Sequence, residues 1–229
     1  MRKKLLLFDL DWTLVTTGGA GVRAYNRGFE RVLGVPEALA TIPVDGKTDR
    51  ALGRELIRAH LNREPQEGEI EAICAAYIDY LSEEVANSPG FQILPGIADL
   101  LEALATRQDV MLGLGTGNLR AGAEIKLARP NLWRYFSFGG FADDSELRPE
   151  VLRAGVQRAE ASTGLRFPPR DVVVIGDNWR DVDAGKAIGA TTVAVASGPM
   201  KAHELAAHAP DHVFDDLSDT ERVLRVLTV

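Results

Sequence analysis

The chain has 229 residues, of which 45% are hydrophobic and 26% are charged, and its formal net charge is −7. This length is sufficient for one large domain or two unequal ones. Because an acidic surface repels phosphate backbones and anionic lipids, the composition argues against nucleic acid or a membrane as the main partner.

The chain opens with three basic residues, 2 to 4, followed by the apolar run Leu5 to Phe8. This start is similar to a secretory signal, but Asp9 and Asp11 interrupt it before roughly 7 to 15 apolar residues can accumulate. No later segment is apolar enough to predict a membrane span. Cys74 is the single cysteine, so an internal disulfide is impossible, as is usual in a reducing compartment. We therefore expect a cytoplasmic protein.

Short apolar runs alternate with helical patterns along much of the chain. Such runs indicate parallel strands buried on both faces, and the segments between them suit crossover helices. The sequence therefore predicts an α/β fold with an open, doubly wound, Rossmann-like parallel sheet. The predicted strands are 5–8, 110–114, 172–175, 191–196 and 212–214, with an additional edge strand at 136–138, and the predicted crossover helices are 96–107, 119–128, 149–162 and 180–188.

The first two predicted strands are separated by far more residues than a crossover requires. Apolar residues in this interval recur at helical spacing, for example at Ile70, Ile73, Tyr77 and Leu81. A Ser-Pro-Gly stretch at 88–90 then marks the end of the helical pattern. The sequence thus predicts a small all-helical cap at residues 17–89, inserted into an α/β core formed by residues 1–16 and 90–229.

Two aspartates, Asp9 and Asp11, follow the first predicted strand directly. Ligands of open parallel sheets bind at the carboxyl ends of the strands, and residues two apart in extended chain point to the same side. Two carboxylates held so close raise each other's pKa unless a cation lies beside them. The pair therefore predicts a cation site at this edge of the sheet.

Other strands deliver polar groups to the same edge. The second strand ends in Thr116, Gly117 and Asn118 before a helix, where backbone N–H groups favour an anion. A later strand ends at Asp177, and Asp181 follows four residues on. Carboxylates gathered around an anion site predict a hard divalent cation, for which we expect Mg²⁺.

These motifs, in this order, resemble those of the haloacid dehalogenase-like hydrolase superfamily, and in particular its phosphoglycolate phosphatase-like members with a helical cap. Asp9-Leu10-Asp11-Trp12-Thr13 resembles the first motif of the family, Thr116-Gly117-Asn118 the second, and Gly176-Asp177 with Asp181 the fourth. The third motif usually has a lysine before a proline, where this chain has Arg148-Pro149. The resemblance covers essentially the whole chain.

The resemblance implies a Mg²⁺-dependent phosphatase that forms an aspartyl-phosphate. Asp9 would be the nucleophile, and Asp11 would protonate the leaving oxygen and then activate water. Mg²⁺ would be bound by Asp9, by Asp11 through its backbone carbonyl, and by Asp177, with Asp181 as an outer or alternate ligand. The phosphoryl oxygens would be held by Thr116, Gly117, Asn118 and Arg148, with Lys126 as the alternative to Arg148.

The polar loop 45–50 within the helical insert resembles the specificity loop of such caps, and Lys47 is the residue we expect to reach the substrate. Thr48 and Asp49 are alternatively explained as the cap of a helix N-terminus. A cap of this size favours a small phosphomonoester over a phosphoprotein.

Three other functions remain to be separated from a phosphatase. A phosphomutase of the β-phosphoglucomutase type shares this framework. The metal-independent dehalogenases lack the second aspartate of the first motif, so Asp11 argues against them. A non-catalytic phosphate-binding protein would be expected to have lost Asp9 or Asp11, and both are present. The sequence leaves open whether the protein is a monomer or a homodimer.

Overall fold

The computed structural model of the protein describes residues 3–44 and 46–228. Its main feature is a sheet of six parallel strands, which confirms the predicted α/β class. Five of the strands lie where the apolar runs predict them. The six strands are β1 (Lys4–Phe8), β4 (Val110–Gly115), β5 (Gly139–Gly140), β6 (Val172–Gly176), β7 (Thr191–Val195) and β8 (His212–Phe214).

The strand order is β5-β4-β1-β6-β7-β8, so β1 lies between β4 and β6. Phe8, the last residue of β1, is level with Leu114 of β4 and Ile175 of β6. The residues that follow these three strands therefore meet at one edge of the sheet. The chain winds outward from β1 in both directions, which makes this edge the expected ligand position of the fold.

Both faces of the sheet are covered by helices, because the strands are apolar on both sides. Leu6 and Phe8 belong to one buried cluster, and Leu5 and Leu7 belong to another on the opposite face. Helices α4 (Ile97–Ala105), α5 (Arg120–Ala128) and α9 (Thr220–Leu227) contribute to the first cluster, and α6 (Arg148–Thr163) and α7 (Trp179–Ala187) contribute to the second. The remaining core helix is α8 (Ala202–Ala207).

The edge strand differs from the sequence prediction. Residues 136–138 were expected to form it, but the strand is Gly139–Gly140, after a turn of 3₁₀ helix at Trp133–Tyr135. Phe136 is instead buried in the core with its ring against that of Phe8. A buried aromatic residue fits an edge strand as well as the end of a 3₁₀ turn, so its burial does not by itself identify a strand.

The inserted segment is helical, with α1 (Ala20–Leu33), α2 (Asp49–Leu61) and α3 (Glu69–Asn87) and a 3₁₀ turn at Ala38–Thr41. Gly28 lets α1 approach α3, because a Cβ atom at this position would lie 2.7 Å from the backbone nitrogen of Tyr77. The rings of Tyr25 and Tyr77 then pack with centroids 5.1 Å apart. Burial raises the pKa of Cys74 in the same core to about 12, so its thiol stays protonated and unreactive.

A two-stranded antiparallel sheet joins the cap to the core. Its strands are β2 (Val15–Thr17) and β3 (Phe91–Ile93), where the chain enters and leaves the helical segment. The Ser88 hydroxyl donates a hydrogen bond of 2.7 Å to the Thr17 carbonyl and ties the two connections together. Across the described residues, no helix combines the length and apolarity that crossing a membrane requires.

Candidate active site

The ends of β1 and β6 hold Asp9 and Asp177 side by side. The Asp9 backbone N–H donates to the Ile175 carbonyl at 2.8 Å, which extends the parallel pairing to the strand end. Both carboxylates are almost fully buried, with relative exposures of 7% and 4%. Burial first, and then the negative charges of Asp9 and Asp11, raise the pKa of Asp177 to about 8. This arrangement of acids is stable in ionised form only beside a positive charge.

Among the described residues, the carboxylates close enough to share an ion are those of Asp9, Asp177 and Asp181, with oxygen atoms within 4.8 Å of one another. Buried carboxylate oxygens are the donors that hard divalent cations prefer. The donor set and the raised pKa of Asp177 therefore fit a divalent cation. The Asp11 carboxylate is directed elsewhere, so only its predicted contribution through the backbone carbonyl is compatible with this cluster.

Asp181 also has a structural role at the start of α7. It lies at the third position of α7, and its Oδ2 accepts a hydrogen bond of 3.2 Å from the Asn178 backbone N–H. The Asn178 side chain completes a capping box at the start of this helix. Asp181 also pairs with Arg148. Its oxygens thus have protein partners besides any ion.

Arg148 lies at the first residue of α6, so the helix starts one residue before the predicted position at Pro149. The arginine side chain is 8% exposed, and its Nη2 lies 3.5 Å from Asp9 Oδ1. A buried guanidinium at this position balances part of the carboxylate charge. It can also hold two oxygens of an anion at once, which an ammonium group cannot do in the same planar geometry.

Asp11 forms a separate network with Asn118 and Lys126. Its Oδ2 accepts hydrogen bonds from Lys126 Nζ at 2.6 Å and from Asn118 Nδ2 at 2.9 Å. Lys126 also donates to Asn118 Oδ1 at 2.6 Å, and Asn118 Nδ2 contacts Thr116 Oγ1 at 2.9 Å. The second motif and Lys126 thus fix the Asp11 side chain in one orientation.

The inserted segment approaches the core closely at Gly117. A Cβ atom here would collide with the Lys47 carbonyl and would lie 2.9 Å from Arg148 Nη1, so any larger residue would displace both. The Gly117 carbonyl accepts a hydrogen bond of 2.8 Å from the Asp49 backbone N–H. The loop before α2 therefore lies directly over the second motif.

Asp49 completes this junction from the cap side. Its Oδ2 accepts a hydrogen bond of 2.8 Å from the Leu119 backbone N–H at the start of α5. Burial raises the pKa of Asp49 to about 6, although the charge of Lys126 and the bond from Leu119 act in the opposite direction. Burial therefore opposes ionisation of the Asp49 carboxyl group, whereas its hydrogen bond from Leu119 favours the ionised form.

A cavity of about 330 Å³ lies between the strand ends and the cap. Its core side includes Asp9, Asp11, Asn118 and Arg148, and its cap side includes Lys47. This volume is near the lower end of the range of roughly 300–1,000 Å³ for small-molecule sites. A cleft of this size suits a small ligand whose charged end lies against the aspartates.

Lys47 lines this cavity, and its Nζ pairs with Glu55 Oε2 at 2.5 Å. Its contact with a substrate stays a prediction. Thr48 is the N-cap of α2, and its Oγ1 accepts from the Ala51 N–H at 3.2 Å, which confirms the capping explanation for this residue. Asp45, the first residue of the predicted specificity loop, lies outside the described residues.

The sequence did not identify Asp49 as a cavity residue, and it suggested Lys126 only as the alternative to Arg148. Side chains on a helix lean toward its N-terminus, so Lys126 points back along α5 to Asn118, eight residues earlier. The four-residue spacing of positions 118, 122 and 126 could have predicted this contact, because residues four apart lie on the same face of a helix. The sequence shows only that Asp49 belongs to the polar loop. Nothing in the loop indicates which strand end Asp49 would contact.

Comparisons with known proteins identify the family to which the chain belongs. The model of a family described as haloacid dehalogenase-like hydrolase matches residues 6–195. The phosphoglycolate phosphatase of Synechococcus elongatus is 33% identical over 138 residues, which are 57% of this chain and 58% of that protein. The phosphoglycolate phosphatase of Salmonella choleraesuis is 27% identical over 231 residues, with 93% of this chain and 88% of that protein covered. The chain thus spans less than two thirds of the first relative.

Among solved structures, the crystal structure of a hydrolase from Pseudomonas syringae is similar with a TM-score of 0.73. The two chains are 19% identical, and the similarity covers 99% of this chain and 100% of the other. At this identity the comparison shows a shared fold.

Proposed function

Since the chain belongs to the haloacid dehalogenase-like hydrolase family, we propose that it is a phosphatase that hydrolyses a small phosphomonoester through an aspartyl-phosphate on Asp9. The observation that supports this most directly is the buried grouping of Asp9, Asp177 and Arg148 beside Asp11 at adjacent strand ends. A nucleophilic carboxylate, a cation site and a guanidinium are the groups that stabilise a phosphoryl transition state.

In the first half of the reaction, a carboxylate oxygen of Asp9 forms a bond to phosphorus while the bond from phosphorus to the leaving oxygen breaks. Asp11 donates a proton to that oxygen, so the product leaves as an alcohol. Thr116, Asn118, the Gly117 backbone and Arg148 hold the remaining phosphoryl oxygens. Lys126 and Asn118 keep Asp11 aimed at the leaving oxygen.

In the second half, Asp11 accepts a proton from a water molecule as its oxygen attacks phosphorus. The bond between phosphorus and Asp9 breaks, inorganic phosphate leaves, and both aspartates return to their starting state. The cap limits solvent access to the cavity, which favours transfer to Asp9 in the first half of the reaction.

We further propose that Mg²⁺ is held by Asp9, Asp177 and the Asp11 backbone carbonyl, with Asp181 close by. When bound, the ion would neutralise the charge of the carboxylates and of the phosphoryl group. The donor chemistry supports this choice, because these ligands are all oxygen atoms. The cytoplasmic location and a monomeric or homodimeric state remain proposals from sequence.

The test is the release of inorganic phosphate from a panel of small phosphomonoesters by the purified protein with Mg²⁺. Asp9→Asn removes the nucleophile with little change in shape, so we expect turnover to become undetectable while the circular dichroism spectrum is unchanged. Asp215→Asn, at an exposed position, is the matched control and should keep full activity. Near-normal turnover by Asp9→Asn would refute the proposed mechanism. Phosphate exchange between sugar positions without release of phosphate would indicate the mutase alternative.

A further inference from the structure

The two ends of the cavity differ in chemistry. The strand-end side carries the charged groups described above. The cap side is formed largely by apolar and aromatic side chains, namely Val22, Tyr25, Leu39, Val44, Leu52 and Tyr77. Because the phosphoryl group belongs at the strand ends, the leaving group of the substrate faces this apolar wall.

Two of the cavity residues are unusually exposed for large apolar side chains. Val22 on the cap is 40% exposed, and Trp12 on the core is 39% exposed. An exposed apolar surface inside a concave site is typical of a binding site whose ligand buries that surface. Val22 belongs to α1 of the cap and Trp12 follows β1 of the core, so both parts of the chain contribute exposed apolar surface to the cavity lining.

The cations of the cavity already have anionic partners. Among its described lining residues the cations are Lys47, Lys126 and Arg148. Lys126 pairs with Asp11, and Arg148 pairs with Asp181 and lies near Asp9. Lys47, on the cap side, is neutralised by Glu55 at 2.5 Å. A second anionic group on the substrate would find no uncommitted cation among these residues.

Asp49 adds a repulsive element on the same side. Asp49 is among the residues that line the cavity, and its Oδ2 accepts a hydrogen bond from the Leu119 N–H. A carboxylate or second phosphate on the leaving group would be taken out of water near this acid without a compensating charge. An uncharged leaving group avoids this penalty.

We propose that the substrate carries a single anionic group, its phosphoryl group, and that its leaving group is uncharged and largely apolar. This inference rests on the proposed function and narrows it. It distinguishes the chain from an enzyme whose substrate carries a carboxylate or a second phosphate on the leaving group. The apolar cap wall and the pairing of Lys47 with Glu55 are the two features that carry it.

Matched pairs of substrates test the inference. We expect kcat/KM to be at least tenfold higher for phenyl phosphate than for 4-carboxyphenyl phosphate, and for 2-hydroxyethyl phosphate than for phosphoglycolate. Equal or higher values for the carboxylated member of both pairs would overturn it. Phosphate release from none of the four compounds in the presence of Mg²⁺ would instead overturn the proposed function, and the inference with it.

Glu55→Gln provides a second, independent readout. Glu55 does not line the cavity, and its neutralisation would free the Lys47 ammonium for an anionic leaving group. We expect the activity ratio of the carboxylated to the neutral substrate to rise several-fold in this variant. Glu67→Gln makes the same charge change at an exposed position of the cap and should leave the ratio unchanged. An unchanged ratio in Glu55→Gln would contradict the assigned pairing.

Discussion

At the scale of single residues, the site assigns a different cation to each aspartate of the first motif. Arg148 lies beside Asp9, the proposed nucleophile, and Lys126 is bonded to Asp11, the proposed acid and base. The two cations therefore have different expected effects. One would contact the transferring phosphoryl group, and the other acts on a neighbouring side chain.

Replacing these two cations should separate their roles. We expect Arg148→Ala to lower kcat/KM by two or more orders of magnitude, on the scale of ~3 kcal/mol for a charged transition-state contact. Lys126→Ala should cost much less, because Asn118 still holds Asp11. Steady-state kinetics of both variants on one substrate measure this difference. The opposite ranking would assign the third-motif role to Lys126.

At the scale of structural elements, the start of α2 is held against the start of α5 and against the loop before α6. Arg54 on α2 makes two hydrogen bonds, of 2.9 and 2.8 Å, to the Glu146 carboxylate. The Thr48 hydroxyl also donates to the Glu146 carbonyl at 3.2 Å. These contacts, with those of Asp49, hold the cap over the cavity.

The Asp49 carboxyl should make this contact dependent on pH. Its pKa is about 6 in the folded protein and about 3.9 when unfolded, so the folded state binds more protons between these values. The free energy of unfolding should therefore fall as pH rises from about 4 to about 6. Asp49→Asn keeps an acceptor for the Leu119 N–H and should remove this loss, which is on the order of 3 kcal/mol.

Urea unfolding in chelator at pH 4.5 and 7.5 measures this effect. The stability gained by Asp49→Asn should be large at pH 7.5 and small at pH 4.5. Asp215→Asn, which removes an exposed carboxylate, should show little change at either pH. An equal gain for Asp49→Asn at both pH values would contradict the assignment.

The loop before α2 should control selectivity more than chemistry. Lys47 lines the cavity from the cap side, remote in sequence from the motifs on the core. We expect Lys47→Ala to change the ranking of substrates and their KM values more than it changes the hydrolysis of a small activated aryl phosphate. Lys201→Ala, at an exposed position of the core, should preserve the ranking. Equal losses on every substrate would place Lys47 in catalysis or folding.

At the scale of the whole molecule, the candidate site brings buried carboxyl groups from separate parts of the chain close together. Asp9 and Asp177 are far apart in sequence and become neighbours only when β1 pairs with β6. Folding therefore carries an electrostatic cost that a bound cation would offset. Metal binding and stability are thus expected to be linked.

This linkage predicts that Mg²⁺ raises the melting temperature and that a chelator reverses the increase. At a Mg²⁺ concentration of about 100 times Kd, the stabilisation would be about 2.7 kcal/mol. Excess chelator should also abolish phosphate release, and added Mg²⁺ should restore it. Asp177→Asn should lose most of the thermal shift, whereas Asp215→Asn should retain it. Full activity in excess chelator would refute the proposed metal dependence.

The sequence by itself determined the class of fold and the edge of the sheet where the candidate site lies. Strands buried on both faces appear as continuous apolar runs, and the ends of adjacent parallel strands must meet. Asp9, Thr116 and Asp177 can therefore be grouped from their positions in the chain alone. The helical insert is equally clear from the sequence, because its apolar residues follow helical spacing.

Only the tertiary structure decided which groups become partners. Periodicity identifies the buried face of a helix but not the element that it packs against, so the contact of Asp49 with Leu119 and the apolar cap wall of Val22 and Leu52 could not be read from the chain. The partners of long side chains such as Lys126 and Lys47 are also undetermined by the sequence, because they depend on how far and in which direction each side chain extends. The chemistry at the strand ends is local in sequence, whereas the surroundings of the leaving group arise from packing between separate elements.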